Sequence, residues 1–187
     1  MVLDLAQKHK RGVTLMEVMA VVAIMGILSG IGVAGLRSAV ANARIKDAAY
    51  NVTAFMERTA NEARRLDSPL CVKRNTNHNK LLVYGASCSA TDLGNAIDSL
   101  VLETPVVLIE DAVNGADFTN LTNWSKITGS NKGAQFSPRV GLTAAPDAGY
   151  FAVQYGGMGL WGAALKVSTK NKFLPMMKHE DGSWFGI

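Results

Sequence analysis

Only two cysteines and three histidines occur among the 187 residues. There is no C-x-x-C, and His9, His78 and His179 lie too far apart to form a ligand pair, so neither a metal nor a cofactor is expected. The nucleophile-elbow pattern G-x-S-x-G is also missing, and no enzyme is expected. Charged residues make up 18%, and the net charge is only +4. Half of that excess comes from Lys8, Lys10 and Arg11 set against Asp4, and the remainder is too small to point to nucleic acid.

Apolar residues are plentiful and unevenly placed. Nineteen uncharged residues run from Val18 to Leu36, and counting from Val13 the stretch has 24 residues, about 36 Å of helix. That crosses a hydrocarbon core of about 30 Å. Basic residues precede the run, which predicts a cytoplasmic N-terminal tail with everything after Arg37 outside. Cys71 and Cys88 then sit in an oxidising space, where a disulfide closing a loop of about 17 residues is the favoured reading and would constrain the unfolded chain by about 3 kcal/mol. In the cytosol the same pair would be two buried thiols.

One acid, Glu17, interrupts the head of this run. Charge within hydrocarbon is expensive, so an intramembrane carboxylate has a partner or a task. The order Lys8, Lys10, Arg11, Gly12, then Val13-Thr14-Leu15-Met16-Glu17 and the apolar run, resembles the class III signal of type IV prepilins and type II secretion pseudopilins. Gly26 falls where that family usually has glycine, Val13 stands in place of its commoner phenylalanine, and Ala34 stands where many major pilins have a helix-bending proline. The resemblance implies cleavage by prepilin peptidase between Gly12 and Val13, N-methylation at Val13, and a filament-assembly role for Glu17. It also implies partners: other pilin or pseudopilin subunits and an inner-membrane assembly platform.

Cleavage would create an α-amine at Val13 that is mostly cationic near neutrality. A carboxylate four residues along can meet it within one subunit, or meet the amine of a neighbour. The plainer alternative is that Glu17 only complements the helix dipole in the first turn. Gly26, Gly30 and Ala34 recur every four residues, a narrow strip along which a second helix could approach closely.

The helix is predicted to continue to Leu66. Leu36, Val40, Ala43, Ala48, Val52, Phe55, Thr59, Ala63 and Leu66 approximate one stripe, with Phe55 and Met56 as core, and Asp67-Ser68-Pro69 stops it. From Leu70 the pattern changes to short β runs: LCVKR, KLLVYGA, SLVLETPVVLIED, YFAVQY and AALKVS, with Pro105 dividing its run. The expectation is an α+β, pilin-like fold in which a long N-terminal helix packs on an antiparallel sheet. Its divisions are a leader (1–12), a membrane or filament-core helix (13–36), an amphipathic continuation (37–66) and a β-rich domain (67–187).

The stretch AQFSPRVGL from Ala134, with the strand pair after it, resembles the GspH/FimT-type minor pseudopilins and minor pilins. Two other signals stand apart. Gly157 to Gly162 spells G-x-G-x-x-G, but AALKVSTKNKF after it alternates like a strand, which argues against a dinucleotide site. Lys166, Lys170, Lys172 and Lys178 gather near Phe173, read either as a solvated strand face or as a nucleic-acid contact in DNA uptake. The expected function is a structural subunit of a type IV pilus or type II pseudopilus; the alternative is a membrane-anchored DNA-binding minor pilin.

Overall fold

The computed structural model describes residues 12–110, 118, 121–126, 133–139, 141–142, 149–156, 160–167, 172–178 and 183–187. Among the described residues one helix, α1 (Leu15–Leu66), precedes eleven strands. The chain divides into two compact units, residues 1–39 and Val40–Ile187.

In the first unit the helix runs through Gly26, Gly30, Gly32 and Gly35 without a break. Its side chains stand open, with Val18, Val21, Val22, Ile24, Ile27, Leu28, Ile31 and Val33 all exposed. Such a surface contradicts the water-soluble norm, in which contiguous apolar patches are small.

In the second unit α1 buries Ala41, Ile45, Ala48, Ala49, Val52, Phe55, Met56, Thr59 and Ala63. The spacing is a three-to-four residue stripe, and the expected core roles of Phe55 and Met56 hold. The start and end of the expected stripe differ: Leu36, Val40 and Leu66 are exposed, as is Ala43, and Ala41 and Ile45 take the inward places. A period of 3.6 drifts around the helix, so a stripe drawn through Val40 and Ala43 runs off the buried face that begins at Ala41. The buried hydroxyls of Thr53 and Thr59 donate to the carbonyls of Ala49 and Phe55. The helix ends in a Schellman motif: Ser68 N–H bonds the Ala63 carbonyl, Asp67 N–H bonds that of Arg64, and Asp67 takes a positive φ of 46° before Pro69.

The strands are β1 (Leu70–Arg74), β2 (Lys80–Tyr84), β3 (Ala96–Val101), β4 (Val106–Leu108), β5 (Thr122–Asn123), β6 (Ala134–Ser137), β7 (Gly141–Leu142), β8 (Gly149–Tyr155), β9 (Trp161–Val167), β10 (Lys172–Lys178) and β11 (Trp184–Gly186). They form two sheets where one was expected, ordered β3-β2-β1-β6-β7 and β11-β10-β9-β8-β4. All neighbours on these two paths are antiparallel; β5 pairs with β8 in parallel. Pro105 divides its run as expected, leaving β3 on one side and β4 on the other. Pro175 lies within β10, which has a strand on each side, a place proline usually avoids. Its carbonyl accepts from Ile187 N–H, and in a strand the two polar groups of a residue face the same way. The missing N–H therefore faces the β11 side, at the end of the Trp184–Gly186 ladder, where little pairing is lost.

Between helix and sheets, Val52, Met56, Val72, Leu81, Leu108, Phe136, Phe151 and Val153 make one core with Trp124 and Phe173. Strand β8 is buried on both faces, because Tyr150 and Ala152 point into a second cluster with Ile109, Phe118 and Met176. Phe118 meets the Tyr150 ring edge-on at 4.9 Å.

The two sheets are tied by a buried arginine. Arg74, at the end of β1, donates from Nε to the Ser125 carbonyl at 2.9 Å and from Nη1 to the Asn75 carbonyl at 2.9 Å, and pairs through Nη2 with Glu110. Its side chain is 1% exposed, and burial pulls the guanidinium below its ordinary value. Nothing in composition marks this residue. It is recognisable only once β1 and the segment after β4 are brought together.

Candidate functional site: the head of the apolar helix

Thr14 stands just before the first helical residue, Leu15, and Glu17 lies in the first turn. Thr14 N–H donates to Glu17 Oε2 at 2.9 Å, and the Thr14 hydroxyl donates to the same oxygen at 3.1 Å. The Glu17 N–H in turn approaches Thr14 Oγ1 at 3.2 Å. This is a reciprocal capping box, in which N-cap and third helical residue satisfy each other's open donors. Val13 and Val18 flank it in the places of a hydrophobic staple. The T-x-x-E spelling was available in the sequence, and it identifies Thr14 as a partner of Glu17 that the reading of the apolar run overlooked.

Two consequences concern chemistry. The helix starts at Leu15, so Gly12 and Val13 lie outside it, both exposed. The peptide bond between them is therefore free of helical hydrogen bonding and accessible to a protease. Among the described residues, Glu17 is held through Oε2 by its own chain, and no bond to Oε1 is formed. After Glu17 the next charge is Arg37, and among the described residues α1 is long and apolar enough to cross a membrane. Gly26, Gly30 and Ala34 are exposed along that helix, and nothing lies within 4 Å of a Cβ built on either glycine.

Elsewhere the structure sorts the remaining candidates. Cys71 and Cys88 form a disulfide, with Cα atoms 5.0 Å apart across 17 positions. The loop after β2 is held beside it, since Gln135 Oε1 accepts from Ser87 Oγ at 2.8 Å and from Cys88 N–H at 3.1 Å. His78 holds the β1–β2 turn to β4: its Nδ1 lies 3.1 Å from the Leu108 carbonyl, and its own carbonyl accepts from Leu108 N–H at 2.7 Å. Among the described residues no group of three or more metal-ligating side chains forms.

The basic cluster loses its aromatic partner. Phe173 is 4% exposed and packs with Trp124 and Phe136 in the core, where no base could stack on it. Lys178 is half-buried, its ammonium 5.8 Å from the centre of the Trp161 ring. The backbone of Lys166 lies in β9 opposite Phe173, and that of Lys172 opposite Val167. Lys170 lies outside the described residues, as do the leader to Arg11 and Gly157 to Gly159. Gly162 is a strand residue whose added Cβ would stand 3.2 Å from Ala49 Cβ, so close helix-to-sheet packing accounts for that glycine.

Residues 7–33 match the prokaryotic N-terminal methylation motif. No curated protein matches the chain. Among solved structures it is similar to the minor pseudopilin EpsH from the Type 2 Secretion System of Vibrio cholerae, at 10% identity and a TM-score of 0.36, over 77% of this chain and 96% of that one. The matched motif covers the head of the long apolar helix, including Gly12, Val13 and Glu17. The architecture is α+β, one long helix followed by two largely antiparallel sheets.

Proposed function

We propose that this chain is a minor pilin or pseudopilin, made with a leader over residues 1–12 that prepilin peptidase removes between Gly12 and Val13. Val13 then becomes the N-methylated first residue. The helix over 13–36 holds the subunit in the inner membrane until the assembly platform moves it into the filament, while the continuation over 37–66 and the β-rich domain over 67–187 lie in the periplasm. Cys71–Cys88 suits that compartment, since structural disulfides persist in oxidising spaces. The resemblance of the Ala134 stretch to GspH/FimT-type subunits supports the minor class.

The capping box carries this reading of Glu17. Oε2 is engaged by Thr14 of the same chain, so Oε1 is the oxygen left for a cation. We assign that cation to the Val13 amine of a neighbouring subunit, which would fix the axial offset between subunits while Gly26, Gly30 and Ala34 allow close helix packing. The experiment combines mass spectrometry of the mature N-terminus with filament fractionation. N-methyl-valine at position 13 is expected, and Glu17→Ala should be processed and folded yet absent from filaments. An unprocessed leader in a peptidase-competent host, or Glu17→Ala chains incorporated at the normal level, would sink the proposal.

A further inference from the structure

Strand β3 ends the five-stranded sheet; on its outer edge Ser99 N–H donates to Asp98 Oδ1 at 2.8 Å, and among the described residues no other backbone group of that edge is hydrogen-bonded. Sheet edges are usually blunted by shortness, proline, lysine or a covering element. The opposite edge, β7, is two residues long, and β4 and β11 at the edges of the other sheet have three each. Strand β3 has six, reads AIDSLV without proline or lysine, and exposes Ile97 and Val101 at 55% each. Its register shift lies at the Tyr84 end, leaving Asp98 to Val101 in regular pairing with β2.

Two cavities open beside this strand, both within the second unit. One, of about 490 Å³, has an apolar floor of Leu66, Leu70, Val83 and Ile97, with the ion pair Arg58–Asp98 at its rim. The other, of about 310 Å³, is lined by Asp47, Tyr50, Val101 and Glu103. Arg44 also lines it, but donates to the Thr104 carbonyl at 3.2 Å, and no salt bridge among the described residues neutralises Asp47 or Glu103. Ile97 and Val101 mark the two cavities, four residues apart. That distance, about 13 Å, separates residues i and i+4 on one face of any strand laid alongside.

We propose that the β3 edge is a docking site for an extended, cationic segment of another polypeptide, which enters as an additional strand of the sheet. Its backbone bonds to β3, a lysine or arginine lies over Asp47 and Glu103, and an apolar side chain four positions away fills the larger cavity. Backbone pairing supplies affinity, and the two alternate side chains supply selection. Asp47 and Glu103 outnumber Arg44 in this cavity although the chain's net charge is +4, and their repulsion disfavours an acidic strand. The site is separate from Glu17 and does not rest on filament assembly.

The test uses the full chain in detergent micelles and a fluorescein-labelled eight-residue peptide, threonine-rich, with a lysine and a leucine four residues apart. Saturable anisotropy is expected, with slowed amide exchange at Ala96–Val101. Binding should fall at least tenfold when alternate peptide amides are N-methylated, when glutamate replaces lysine, or in Val101→Lys and Glu103→Lys proteins, both changed at exposed positions. Absence of binding by the parent peptide, or equal binding by its N-methylated form, would overturn the proposal. So would light scattering that shows a dimer dispersed by Val101→Lys, because the edge would then belong to a second copy.

Discussion

Removing the Cys71–Cys88 bond should lower the stability of the folded domain by about 3 kcal/mol. The bridge closes 17 positions, and loop-closure entropy for a ring of that size gives this value at 25 °C. For a domain of about 150 residues each kcal/mol moves the midpoint by about 2–4 °C, so a fall of about 6–12 °C is expected. Two features bear on the outcome. Cys71 is fully buried, so Cys71→Ala with Cys88→Ala is preferable to serine, which would place a hydroxyl in the core. The Gln135 side chain holds Ser87 and Cys88 independently of the bridge, and its bonds survive in the double variant. Thermal unfolding followed by tryptophan fluorescence, with and without reductant and with thiol content checked by mass spectrometry, gives the answer. A midpoint unchanged in fully reduced protein would refute the reasoning, because the Gln135 contacts alone would then suffice to order the loop.

Gly149→Ala should destabilise by about 1–3 kcal/mol, as overpacked sites do, because its Cβ would stand 2.4 Å from the Trp124 ring and 2.5 Å from the Thr122 carbonyl; chemical denaturation measures it. Thr14→Ala should cost the helix start about 1 kcal/mol, seen as faster amide exchange in the first turn, and Thr14→Ser should restore it. The Arg65 guanidinium, bonded to Glu62 at 2.8 Å, holds that carboxyl below its ordinary value. A carboxylate lowered in the folded state contributes above the unfolded value of about 4.3 and loses its contribution as pH falls through the folded value. Glu62→Gln should therefore remove a small acid-limb slope from the stability profile while leaving neutral-pH stability nearly unchanged, as expected of an exposed pair.

Much of the fold was legible because its signals are local. The apolar run from Val13, the Asp67-Ser68-Pro69 stop and the strands at Leu70 and Lys80 follow from hydropathy, turn chemistry and alternation, each read within a few residues. The candidate site at the head of the helix was legible in type but not in partnership: Glu17 is conspicuous in the apolar run, whereas its partner Thr14 shows only in the T-x-x-E spelling of a capping box. The buried stripe was placed one residue off at Val40, since several small apolar residues in that region fit more than one helical face. Phe173 misled for a related reason, because an aromatic beside lysines has the same sequence whether it faces solvent or core.

By itself the sequence determined where the long apolar segment lies, where the basic residues stop, and which carboxylate stands at its head, since all three depend only on residue order along the chain. Only the tertiary structure decided that Arg74 bridges two sheets, and that β3 ends its sheet beside the cavity of Asp47 and Glu103. These depend on which strands become neighbours. Strand order is set by the packing of many side chains at once, and the alternation of any single strand carries no record of it.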